Sequence, residues 1–218
     1  MYQTLARTYG PLHWWPARTR FEVIAGAFLT QNTSWKNVEH ALRNLRRAGI
    51  LNIAGIRRIP VADLERLVRP SGYFRQKAAR LKTFVAYLDQ RHGGSLSRMF
   101  ALPLQQLRSE LLALNGVGPE TADAILLYAG KLPVFVVDAY TKRLFERHGI
   151  VPGEARYEEL RAQVELAFAS FTPETDLADH YNEFHALIVH LGKHHCGKTA
   201  KCERCPLQPL LPKMALDG

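Results

Sequence analysis

Apolar residues in this chain recur mostly three and four positions apart, the period of a helix, and seldom alternate as a strand would. Residues 21–29 form an apolar run with Gly26 inside it. Residues 35–48 place Val38, Ala41, Leu42 and Leu45 on one face, with Ser34 as an N-cap and Gly49 as a stop. A short helix is predicted over 61–68, ended by Pro70-Ser71-Gly72, and a longer one over 76–91, stopped by Gly93-Gly94. Residues 103–114 lead into a glycine turn and 120–129 leave it. Helices over 139–148, 157–168 and 177–194 follow. The β-rich run 132–137 is too short to found a sheet. About ten helices, with no low-complexity linker and no long repeat, predict an all-α fold. Chain order alone does not say whether it forms one lobe or two.

Composition narrows the class. With 218 residues, 47% of them hydrophobic, the chain can bury a substantial core. Lys and Arg number 29 against 20 Asp and Glu, a formal charge of +9. That balance suits a polyanionic partner, although a basic surface kept for solubility would look the same. No apolar stretch approaches the roughly 20 residues that span a bilayer, and residues 1–7 lack the apolar core of a signal peptide. A cytoplasmic protein without a membrane partner is expected, nucleoid-associated if bacterial. The three cysteines all fall within 196–205. Three clustered thiols in such a chain point to metal rather than to a disulfide framework.

The densest chemical signal lies in residues 114–138. Gly116 and Gly118 flank Val117 in a turn between two helices, followed by Pro119, Glu120, Thr121 and Ala122. Such a turn leaves amides unpaired at the start of the next helix, where they and the helix dipole suit a phosphate. Pro119 fits the first helical position because its missing N–H is not needed there. An ordinary helix–turn–helix connection would also use glycine punctuation. What argues for more is Asp138, a carboxylate that follows the apolar run 132–137. One half would hold a nucleic acid backbone and the other would act beside it.

Leu114-x-Gly116-Val117-Gly118-x-x-Thr121-Ala122, Val136-Val137-Asp138 and Phe28-Leu29-Thr30-Gln31-Asn32-Thr33 together resemble the helix-hairpin-helix DNA glycosylases of the endonuclease III superfamily. The resemblance covers most of the chain. It implies two α-helical lobes with a DNA cleft between them: residues 21–131, carrying the hairpin at 114–122, and residues 1–20 with 132–218, carrying a cysteine-rich loop at 196–212. It implies that Gly116, Val117, Gly118, Glu120 and Thr121 hold double-stranded DNA, and that a damaged base flips into a pocket near the catalytic Asp138. Gln31 and Asn32 are candidate wedge or cleft residues. Arg43, Arg46, Arg47, Arg57 and Arg58 form one basic concentration, and Arg75, Lys77, Arg80 and Lys82 another, beside Tyr73 and Phe74. Of these, Lys77 is expected on phosphate.

One departure from the family pattern matters. Lyase-competent members carry a Lys two residues after the second hairpin glycine, and here that residue is Glu120, which has no nucleophilic amine. A monofunctional glycosylase is expected, with water as the attacking group and Asp138 stabilising the positive sugar. Trp14-Trp15-Pro16 and Trp35, with Arg69-Pro70-Ser71-Gly72-Tyr73 and Gln76-Lys77-Ala78, further resemble the bacterial 3-methyladenine DNA glycosylases built on that scaffold. Indole faces replace lost base stacking and attract a cationic methylated purine. Trp14 and Trp15 could equally pack the N-terminal segment onto the core. Lys193 is a further pocket candidate, and a solvated lysine at a helix end is the alternative.

Cys196-x5-Cys202-x2-Cys205 resembles the family's [4Fe–4S] loop with an incomplete cysteine set, since residues 206–212 contain no cysteine. Three cysteines with His194 or His195, a Cys3His zinc site, and a metal-free remnant all remain open. No organic cofactor is expected, and the protein is expected to act as a monomer. Two rival readings stand beside alkylpurine excision: a glycosylase and AP lyase for damaged pyrimidines, and a non-catalytic helix-hairpin-helix DNA-binding protein. A redox-sensing DNA protein is a remote third.

Overall fold

The computed structural model describes residues 1–12, 17–170, 173 and 176–212. It is helical, and among the described residues the extended pairing is a single bridge between Cys196 and Ala200. No described helix is long and apolar enough to cross a membrane. The chain divides into two compact units, Ala17–Leu132 and Met1–Pro16 with Pro133–Gly218.

The Ala17–Leu132 unit is built round α2 (Arg20–Leu29), a helix buried on every side from Phe21 to Leu29. It is too apolar to be a surface helix, and its end is set by Thr19, whose side chain accepts from the Glu22 N–H at 3.1 Å. Helices α3 (Trp35–Arg47), α4 (Ile53–Arg58), α5 (Val61–Val68) and α6 (Phe74–His92) follow. The α3 face of Val38, Ala41, Leu42 and Leu45 is buried as its spacing predicts. Ser34 takes the N-cap position of α3 without a side-chain capping bond, whereas Gly49 and Gly93 end their helices in the left-handed region. After α7 (Leu96–Met99) come α8 (Leu104–Leu112) and α9 (Pro119–Ala124), the two arms of the hairpin.

The helix predicted to run unbroken to residue 129 changes character at Ile125. Residues Ile125–Ala129 form a π-turn, in which the Gly130 N–H reaches back to the Ile125 carbonyl at 3.1 Å. A Cβ on Gly130 would meet the Leu126 carbonyl at 2.6 Å and the Phe100 ring at 2.7 Å, so this exit has room only for glycine.

In the other unit α1 (Tyr2–Tyr9), α10 (Ala139–Arg147), α11 (Tyr157–Ala169) and α12 (Leu177–His194) pack round Phe135, Phe168, Tyr181 and Phe184. The run 132–137 is not a strand. Its Val134–Val137 side chains are buried, and its amides pair with side chains of α11 instead of a ladder. The Phe135 N–H donates to Glu165 Oε1 at 3.0 Å and the Val137 N–H to Tyr157 Oη at 3.4 Å. This delivers Asp138 to the start of α10.

Candidate DNA-processing site

The hairpin is built from the inside. Arg108 on α8 makes a two-pronged ion pair with Asp123 on α9, at 2.7 and 3.1 Å, with Asp123 fully buried. That pair clamps the two arms. The Leu114 carbonyl accepts the Val117 N–H at 3.0 Å, Val117 tucks inward, and Gly116 takes φ +81°, a conformation that L side chains rarely adopt. Pro119 occupies the first turn of α9 behind Gly118. Among the described residues, no protein group accepts the N–H of Gly116 or Gly118. Glu120 is exposed in the same first turn.

Gln31 is tied into this hairpin. Its Nε2 donates to the Gly116 carbonyl at 3.1 Å and to Thr121 Oγ1 at 2.9 Å, and its Oε1 accepts from Arg80. The Arg80 guanidinium lies under Gly116, where an added Cβ would fall 2.1 Å from Nε. Gln31, a candidate wedge or cleft residue, has both ends of its amide bonded inside the unit and braces the hairpin. Asn32 is exposed with φ +52°.

Lys77, expected on phosphate, is buried at 1% exposure. Its Nζ donates to the carbonyls of Leu29 at 2.9 Å and Ser71 at 2.6 Å. Those carbonyls end α2 and the Arg69–Ser71 turn, so the amine serves as an internal staple. Burial, with Arg80 nearby, brings it down to about 8. Other members of the basic concentrations are also engaged internally. Arg46 pairs with buried Glu22, Arg57 with Asp89 at 2.7 and 2.5 Å, and Lys82 with the Arg57 and Ile59 carbonyls.

What charge counting missed is Tyr73. It is 65% exposed, has φ +45° at the N-cap of α6, and precedes Phe74, whose ring lies between the guanidinium groups of Arg69 and Arg75 at 5.9 and 5.8 Å. Its sequence traces were the Arg69-Pro70-Ser71-Gly72-Tyr73 segment and the Tyr73-Phe74 pair between arginines.

In the second unit Asp138 is the N-cap of α10. Its Oδ1 accepts from the Thr141 N–H at 2.8 Å and from Thr141 Oγ1 at 3.0 Å. Its Oδ2 lies 3.5 Å from His185 Nε2 on α12. Burial alone would push the carboxyl up, but the His185 charge and the two Thr141 bonds outweigh it and hold Asp138 below its ordinary value of 3.8. The approach of the two helices depends on Gly192, where a Cβ would fall 2.2 Å from the Tyr140 ring. Lys193 is exposed in the last turn of α12. Trp35, in the first unit, is half-buried with Nε1 donating to Glu39 at 3.0 Å. Trp14, Trp15 and Pro16 lie outside the described residues.

Cys196, Cys202 and Cys205 line one small pocket with Arg147, His148, His195 and Leu211. Arg147 Nη1 donates to Cys196 Sγ at 3.3 Å, and Arg143 and Arg147 bond the carbonyls of Cys196, Gly197 and Lys198. Burial pushes the Cys205 thiol up, with Cys202 and Cys196 adding to it. Among the described residues no three His, Cys, Asp or Glu side chains converge as single-ion ligands. His194, considered as a fourth ligand, has its Nδ1 on the His190 carbonyl at 2.8 Å.

These features define a helical DNA-repair protein with a hairpin anchor and a helix-capping carboxylate. The model of the HhH-GPD superfamily of base excision DNA repair proteins matches residues 25–169, and the chain belongs to that superfamily as a DNA N-glycosylase. It is 43% identical over 210 residues, 95% of this chain and 92% of the other, to a putative DNA repair glycosylase of Methanocaldococcus jannaschii. It is similar to the structure of the H. pylori 3-methyladenine DNA glycosylase MagIII bound to 1,N6-ethenoadenine. There the TM-score is 0.73 and the identity 33%, over 88% of this chain and 95% of that one. The structure of a trapped endonuclease III–DNA covalent intermediate shares the fold, with TM-score 0.78 at 21% identity, covering 96% and 92% of the two chains.

Proposed function

We propose that this protein is a monofunctional DNA glycosylase that hydrolyses the N-glycosidic bond of alkylated purines, 3-methyladenine among them, in double-stranded DNA. The observation that carries the hydrolytic part is Asp138, held ionised in a buried position where it can stabilise a positive sugar. As the C1′–N bond breaks, its electron pair leaves with the base. A methylated purine is already cationic, so it leaves without a strong acid in the site. Water then bonds to C1′ and gives up its proton to the Asp138 carboxylate. Glu120, exposed on α9 where lyases of this superfamily carry an amine, supports water rather than an enzyme amine as the nucleophile. The alkylpurine preference draws on the likeness to the H. pylori enzyme and on the indole of Trp35.

On the DNA side, the Gly116–Gly118 amides take a phosphate, with Arg80 beneath them and Gln31 bracing the turn. Tyr73 fills the gap left by the flipped base. The protein acts as a monomer. Cys196, Cys202 and Cys205 hold an iron–sulfur cluster with an incomplete cysteine set. When bound it would staple the 196–212 loop, and it takes no part in base release; iron and sulfide content after purification without oxygen reads this directly.

The deciding experiment is a release assay on duplexes carrying 3-methyladenine, uracil or an oxidised pyrimidine, with borohydride present in parallel. Free 3-methyladenine and no trapped protein–DNA adduct are the expected results. Faster uracil or pyrimidine release, or a strong adduct, overturns the reading. Tyr73→Ala should slow release from fully paired duplex by about tenfold or more, and less where the lesion faces a mismatch, since one stacked base contributes roughly 1–3 kcal/mol.

A further inference from the structure

Asp138 has only one oxygen free to face a reacting sugar. Oδ1 is taken by both Thr141 donors, which fix the plane of the carboxylate. Oδ2 is left, and His185 Nε2 stands 3.5 Å from it. His185 is itself held: it is 6% exposed, and its ring meets Phe135 edge-on at 6.3 Å. Phe135 in turn packs on Phe184 and Tyr181. An imidazole buried at this depth against a carboxylate is more than a core side chain needs.

We propose that His185 is a positioning residue for base release: its ring fixes Asp138 Oδ2 towards the sugar and keeps that oxygen charged while the base departs. The proposal rests on the base-excision reading of Asp138. It is independent of which base is removed.

Other ionisable groups packed round this part of the unit are committed elsewhere. Tyr157 Oη accepts the Val137 N–H. Glu165 accepts the Phe135 N–H and pairs with Arg161. Glu183 accepts the Leu12 N–H. Arg143 donates to the Cys196 carbonyl and lies over the Tyr140 ring. Among the described residues His185 is thus the titratable side chain paired with Asp138. Without it, burial would be opposed by Thr141 alone, and the carboxyl would take up a proton at higher pH.

Glutamine at 185 keeps a hydrogen-bonding side chain of similar reach but carries no charge. Two duplexes serve as probes, one with a cationic pyrrolidine in place of the abasic sugar and one with neutral tetrahydrofuran. The full-length wild-type protein should bind the cation more tightly, with the preference kept down to about pH 5. His185→Gln should lose that preference at a higher pH than the wild type does, because its carboxyl takes up a proton earlier. Its tetrahydrofuran binding should stay as in the wild type, and it should remain folded at the assay temperature. Its base release should show an acid limb moved to higher pH. An unchanged cation preference and an unchanged acid limb would overturn the proposal, as would a wild-type protein that does not distinguish the two duplexes. A pronounced cation preference without methylpurine release would leave this assignment standing and remove the alkylpurine reading. If the variant unfolds, carbon-13 titration of the Asp138 carboxyl in the wild-type protein decides: the Asp138 and His185 titrations must each perturb the other's signal, and independent titrations refute the pairing.

Discussion

Asp138→Asn is expected to slow base release at least a few hundredfold while DNA binding and folding survive. The two halves of that expectation have separate causes. Asparagine caps helices about as well as aspartate, so the Thr141 N–H keeps an acceptor at Oδ1. What is lost at the helix end is one charge on the dipole, about 0.3–1 kcal/mol. What is lost in the transition state is the anion opposite a developing sugar cation. A single preorganised electrostatic partner is worth roughly 2.7–4 kcal/mol there, about 10²–10³ in rate. The catalytic loss therefore far exceeds the structural one. Single-turnover release and a melting curve, measured on the same preparation, check both. A variant that melts like the wild type and releases base at a similar rate would remove Asp138 from the chemistry. The pH dependence has a definite sign. A carboxyl held below its ordinary 3.8 is ionised in the folded protein above that value. Its contribution to stability is present there and is lost as pH falls through the folded value.

Asp123→Ala should lower stability by about 3–5 kcal/mol, a drop in melting temperature on the order of 10 °C. Asp123 is fully buried and Arg108 only 11% exposed at the side chain, so removing the carboxylate strands a guanidinium in the protein interior. The pair also clamps α8 to α9 directly behind Gly116–Gly118. DNA affinity should fall with stability, since the amides that meet phosphate depend on the set of those two helices. Replacing both partners, Arg108→Met with Asp123→Leu, should recover most of the stability, because neither charge is then left unpaired. Thermal melting of the three variants reads this, and equal melting of wild type and Asp123→Ala would show that the clamp contributes nothing.

The helices that sequence pattern foretells well are those whose apolar spacing and stop signals agree. α5 and α12 span the predicted residues, and the left-handed Gly49 and Gly93 end their helices where glycine punctuation placed them. Pattern misled where tertiary contacts choose between similar local states. The π-turn at Ile125–Ala129 carries the same apolar residues an α-helix would. The apolar run before Asp138 looks strand-like, yet its amides find Glu165 and Tyr157 rather than another strand.

The chemistry divides in the same way. The residue types of the site were legible in the chain itself: the glycine turn, Thr121, Asp138, and Glu120 in place of an amine. Backbone geometry and reactive group are properties of a residue and its neighbours. Which charges are spent internally was not legible. Lys77 bonds a carbonyl 48 residues away, and Gln31 one 85 residues away. A lysine reads the same in sequence whether it meets water, phosphate or a carbonyl; burial decides, and burial is set by the whole packed unit. The partner of Asp138 is of that second kind. The chain by itself determined that a carboxylate would follow a glycine hairpin. Only the packing of α10 on α12, permitted by the missing Cβ of Gly192, put His185 beside it.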